Sequence, residues 1–115
     1  MYRMLSASAA VVMTALMFVP AMAQSITITG SAPSQTGYQE VRAMKVSTAD
    51  VDLNTAQGAT MLFDRIDAAA RAVCGESADM TPARAKVFAT CRARAVHYAV
   101  KEVDAPQLTQ FAAAR

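Results

Sequence analysis

An α+β fold, mainly α, is predicted: a disulfide-linked antiparallel helical hairpin with a short N-terminal β element. Three observations carry that prediction. The segment Ser25-Ile26-Thr27-Ile28-Thr29 alternates polar and β-branched residues at period two. Two later stretches repeat apolar residues at three- and four-residue steps, each opened by a cap signal. Two cysteines, Cys74 and Cys91, fall on those stretches in a chain that begins like an export substrate.

The export reading comes first because it sets the redox chemistry. Arg3 supplies a weakly basic start, residues 5–19 form a charge-free and mostly apolar run, and Pro20 and Ala21-Met22-Ala23 follow. That order is a secretory signal, with cleavage expected between Ala23 and Gln24. A 15-residue helix rises only about 22 Å, short of a bilayer core of roughly 30 Å. The expected organisation is therefore residues 1–23 as signal, 24–38 as N-terminal strand and loop, and 39–115 as the main domain. No integral membrane segment is expected after signal removal, and the expected location is periplasmic or secreted.

Signal removal changes the composition. The mature chain keeps ten Lys and Arg against nine Asp and Glu, a net charge of about +1. Five of the eight methionines leave with the signal, and only Met44, Met61 and Met80 remain. A near-neutral domain with scattered charges gives no electrostatic case for nucleic acid. The length suits one domain with a core too small to be generously stable.

After the first strand, residues 30–37 hold Gly30, Pro33, Ser34 and Gly37 and read as a loop. Residues 39–46 form a candidate second strand, with Arg42, Met44 and Val46 on one face. The first helix is capped by Asn54 or Thr55, and Asn54 with Gln57 fits a capping box. Its apolar stripe runs through Ala59, Leu62, Phe63, Ile66, Ala70 and Val73, and Asp67 with Arg71 is spaced for an i,i+4 pair. Gly75 suits the helix end. Thr81-Pro82 opens the second helix, which gathers Phe88, Cys91, Ala95, Ala99 and Val103 on one face, with Val96 and Val100 beside them. Pro106 is expected to stop it, and Leu108 with Phe111 to form a short docking turn or helix.

Sixteen residues separate Cys74 from Cys91. In an exported protein the two are expected to pair. Cys91 falls roughly 14 Å along the second helix at 1.5 Å per residue. The seven-residue connection can span up to about 23 Å, so the helices can be bridged. Closing such a loop stabilises a fold by about 3 kcal/mol in the chain-entropy model. A redox-active pair would favour Cys-x-x-Cys spacing, which is absent.

The remaining motifs carry little chemistry. Asp50-x-Asp52-x-Asn54 opens like a calcium loop, yet its sixth and twelfth positions hold Thr55 and Met61 where glycine and glutamate are needed. The simpler reading points Val51 and Leu53 into the core and leaves Asp50 and Asp52 in water near a helix N-terminus. His97 is the lone histidine, placed beside Arg94 and Lys101 on the helix surface. Arg84, Lys86, Arg92, Arg94 and Lys101 make one side of the second helix basic. A solvated face is the plain reading, and contact with an acidic partner or anionic lipid surface is the functional one. No catalytic, cofactor-binding or metal-ligating set is expected, and no cofactor.

The segment Val46-Ser47-Thr48-Ala49-Asp50-Val51-Asp52-Leu53-Asn54-Thr55, then Gly58-Ala59, then Arg65-Ile66-Asp67-Ala68-Ala69-Ala70-Arg71-Ala72-Val73-Cys74-Gly75 resembles the UrcA family. Cys91, Ala95, Ala99-Val100, Val103 and Pro106-Gln107-Leu108-Thr109 continue the resemblance, which covers roughly residues 39 to 112. The chain departs from the family pattern at Thr48, Ala56 and Ala105. The resemblance implies a small exported proteobacterial protein with two paired cysteines, and it supplies no catalytic residues.

Three function classes stay open on the sequence. The favoured one is a non-enzymatic exported protein acting through binding or assembly, with a homo-oligomer or an envelope protein as partner. Two strands alone leave open edges, and an edge can pair with a second copy or another protein. The second class is a small holdase-like chaperone. The third is a small helical enzyme, for which Arg65, Arg71, Arg92 and Glu102 would have to meet in space.

Overall fold

The structure, a computed structural model, describes residues 24–34 and 37–115. The expected signal peptide, with Ala23 at its cleavage point, lies outside the described residues. The described chain is α+β and mainly helical: β1 (Ser25–Pro33), β2 (Gln39–Ser47), α1 (Ala56–Val73), α2 (Pro82–Val103) and α3 (Pro106–Ala113).

β1 and β2 form a two-stranded antiparallel sheet in which Ser25 faces Ser47 and Pro33 faces Gln39. The expected loop at residues 30–37 is therefore corrected, because Gly30 to Pro33 continue the strand. Gly30 is the reason the strand can pass. A Cβ there would meet Val73 Cγ2 at 2.8 Å, Cys74 Sγ at 3.0 Å and Cys91 Sγ at 3.2 Å, so the bare backbone lies directly on the disulfide. Beyond it Ala32 is buried, extending the inward face of Ile26 and Ile28 by another step of two.

α1 starts where Thr55 Oγ1 accepts the Gly58 N–H at 3.0 Å. The Asn54–Gln57 capping box is replaced by a different local arrangement. Asp52 Oδ1 accepts the Asn54 N–H at 3.0 Å, and Thr55 Oγ1 donates to the Asp52 carbonyl at 3.0 Å. The predicted stripe of α1 is buried throughout, from Ala59 to Val73, and the helix ends before Gly75 at φ +72°. α2 is capped by Thr81, whose Oγ1 accepts the Arg84 N–H at 3.2 Å. It ends at Asp104 in the left-handed conformation, two residues before Pro106, as the expected stop implied, and Pro106 also opens α3.

Cys74 and Cys91 are joined, with their Cα atoms 5.8 Å apart. The bridge ties the end of α1 to the middle of α2. One core runs through both strands and all three helices, centred on Ile28, Leu62, Ile66 and Leu108, each essentially inaccessible. Val51 and Leu53 pack at its margin, as their alternation implied. Phe111 meets Phe63 edge-on with ring centroids 5.3 Å apart, which seats α3 on α1.

Candidate functional site

Apart from Glu40 and Arg42, 3.5 Å apart on β2, the ion pairs among the described residues gather at two separate places. At the first, Asp67 on α1 takes a bidentate contact from Arg92 on α2, Nε to Oδ1 at 2.6 Å and Nη2 to Oδ2 at 2.8 Å. Arg71, one turn along α1, approaches the same carboxylate with Nε 3.4 Å from Oδ2 and reaches Glu76 at 3.9 Å. The fork of Arg92 occupies both carboxylate oxygens, and Arg71 Nε is left buried beside them without a hydrogen bond. Hydrogen bonding to Asp67 raises the Arg92 pKa, against a smaller opposing effect of burial.

At the second place, Arg65 donates Nη1 and Nη2 to the two oxygens of Asp50, at 2.7 and 2.8 Å, and Nη1 also reaches the Ser47 carbonyl at 3.3 Å. The Arg65 hydrogen bonds, helped by the residue's own backbone N–H, hold the Asp50 pKa at about 2. Asp50 is thus clamped to a guanidinium while its side chain stays 61% exposed to water ahead of α1, as the sequence reading expected. The four residues weighed as an enzyme cluster do not assemble. Arg65 belongs to the Asp50 clamp, Arg71 and Arg92 share Asp67, and Glu102 makes no ion pair with any of them among the described residues.

A surface groove of about 900 Å³ lies against α1, α2 and α3, over Phe63, Phe88 and Val100. Asp67 and Arg92 line it but are already committed to each other. His97 and Lys101 stand at its edge, and the Arg115 guanidinium stacks 5.4 Å from the Phe63 ring and 4.7 Å from the Phe111 ring. His97 is exposed and packs edge-on with Tyr98 at 5.7 Å, matching its expected surface position. Among the described residues no three His, Cys, Asp or Glu side chains come together as a metal-binding group.

The sheet is built asymmetrically. α1 packs against both strands, whereas α2 packs against β1 and not β2. Of the nine residues of β2 only Val46 is buried, Val41 is 79% exposed and Met44 is 44% exposed. Among the described residues β2 pairs with β1 alone, so its other edge carries backbone donors and acceptors with no strand partner there. The strand pattern of residues 39–46 hinted at this, since its alternation put charged or polar residues on both faces. Compared with protein-family models, curated proteins and solved structures, the chain matches none.

Proposed function

We propose that this chain is a small exported protein of the UrcA type that performs no catalysis and acts by protein binding in the bacterial cell envelope. The open edge of β2 is its contact. One observation carries the reading: a nine-residue strand, eight residues of which are accessible, packs on α1 but not α2 and has no strand partner on its outer edge among the described residues. A two-stranded sheet is marginal alone and gains when a third strand is added. The Cys74–Cys91 bridge is compatible with an oxidising compartment outside the cytoplasm and supports reading α1 and α2 as an antiparallel helical hairpin.

The occupant of the edge in this proposal is a second copy of the chain. Glu40, Arg42 and Lys45 on β2 discourage indiscriminate pairing but permit a registered one. Antiparallel pairing centred on Val41 sets Glu40 opposite Arg42 of the second copy, twice over, an opposite-charge pair across strands. Native mass spectrometry of protein exported into a bacterial periplasm tests this. A dimer is expected, dissociated by Arg42→Glu and restored by Glu40→Arg with Arg42→Glu. A folded protein that stays monomeric at tens of micromolar and captures no envelope protein overturns the proposal.

A further inference from the structure

The positive charge of this protein is concentrated on one helix. α2 carries five of the eleven Lys and Arg and only one of the nine Asp and Glu, Glu102 near its end. Two of the five cations are used inside the fold: Arg92 holds Asp67, and Arg84 donates to the Gly75 carbonyl at 2.9 Å. The side chains of Lys86, Arg94 and Lys101 make no hydrogen bond or ion pair among the described residues. At 3.6 residues per turn these three fall within a sector of about 120° that also holds Val87 and Tyr98. From Lys86 to Lys101 that sector runs roughly 22 Å, and no acidic residue interrupts it.

The same face exposes apolar surface. Tyr98 is 62% exposed and Val87 is 53% exposed. Val41, from β2, lines a shared groove of about 630 Å³ with Lys86, Val87, Arg94 and Tyr98. Two unpaired cations, an accessible phenol ring and two accessible valines therefore line one groove, and Lys101 stands beside it in the same sector of α2. Lysine is depleted from the buried centres of protein interfaces, and two of the three free cations are lysines. A helix that alternates Lys and Arg with aromatic and aliphatic side chains matches the boundary of an anionic bilayer. There the cations meet phosphates and the apolar groups sink to the level of the headgroups. None of the described helices is long and apolar enough to cross a membrane, so contact would be at the surface.

We infer that the exposed face of α2 docks on anionic phospholipid bilayers, with Lys86, Arg94 and Lys101 contacting headgroup phosphates and Tyr98 and Val87 entering the interface. This inference goes beyond pairing at β2 and does not depend on it. The test is sedimentation of the exported, oxidised protein with vesicles of phosphatidylglycerol and phosphatidylcholine, against vesicles of phosphatidylcholine alone. Binding is expected only to the anionic vesicles, weakening as salt is raised. Each neutralised cation costs roughly fivefold, so Lys86→Gln with Arg94→Gln and Lys101→Gln lowers the partition coefficient about a hundredfold. Tyr98→Ala lowers it several-fold while leaving the thermal melt unchanged. Equal binding to both vesicle types, no binding at low salt, or an unaffected triple variant overturns the inference. So does tighter binding to an acidic polypeptide such as polyglutamate, which would identify an acidic protein as the partner. Arg42→Glu lies outside this face and separates the two proposals: it dissociates the dimer and leaves vesicle binding in place.

Discussion

Asp67 and Arg92, 25 residues apart, meet through two hydrogen bonds of 2.6 and 2.8 Å, so α1 and α2 are pinned by an ion pair as well as by a disulfide. The pair is partly screened, with the Asp67 side chain 17% and the Arg92 side chain 43% exposed. Its bidentate geometry and its place between two helices raise it above a typical surface contact. A double-mutant cycle with Asp67→Asn and Arg92→Gln is expected to give a coupling of about 1–2 kcal/mol in urea unfolding. A coupling near zero would show that the pair contributes only solubility.

The disulfide is expected to supply a larger share. Replacing Cys74 by Ser should cost about 3 kcal/mol through the entropy regained by the unfolded chain. For a domain this small that lowers the melting temperature by more than about 10 °C. Calorimetry under oxidising conditions measures it, and a mutant melting within a few degrees of the parent would rule out a stabilising staple.

Gly58 sits in the first turn of α1 with the Asp52 carbonyl against it, and a Cβ there would overlap that oxygen. Alanine is the better helix former by about 1 kcal/mol in an exposed interior. Gly58→Ala should nevertheless destabilise by about 1–3 kcal/mol, because the segment carrying the Thr55 cap must move away. Gln57→Ala, one residue earlier and exposed, should stay within about 0.5 kcal/mol of the parent. Equal melting temperatures for the two variants would contradict the crowding.

The Asp50–Arg65 clamp predicts a particular acid response. The folded carboxyl titrates at about 2, below its ordinary 3.8. A lowered folded pKa means that the carboxylate stabilises the fold fully above the ordinary value. That contribution is lost as pH falls from about 4 through about 2. Asp50→Asn should remove this part of the acid sensitivity, flattening the dependence of melting temperature on pH between 4 and 2. If the parent and the variant keep parallel profiles across that window, the clamp makes no difference to stability.

Much of the helical layer was legible because its signals are local. The α1 stripe, the Thr81-Pro82 start of α2 and the end of α1 before Gly75 depend on residues no more than four positions apart, and the structure places each as expected. The pairing of Cys74 with Cys91 was expected from an export-like sequence and two feasible helices, and the structure joins them. The site was less legible. The i,i+4 pair of Asp67 with Arg71 forms as the spacing expected, at 3.4 Å, but no local signal marked Arg92, which takes both carboxylate oxygens. Asp50 offered no sequence mark of Arg65, 15 positions later. Gly30 and Pro33 looked like loop residues because the reason for Gly30, its contact with the disulfide, lies in distant parts of the chain.

By itself the sequence determined the α+β class, the positions of the helices and the covalent link, since periodicity, capping and thiol chemistry act between neighbours or through composition. Tertiary structure decided which guanidinium each carboxylate would hold, that β1 would run on past Gly30, and that β2 would be left with an open edge. It also decided which cations of α2 were used internally and which faced outward. Those outcomes follow from how helices and strands pack, and packing brings together residues whose separation along the chain carries no local signal.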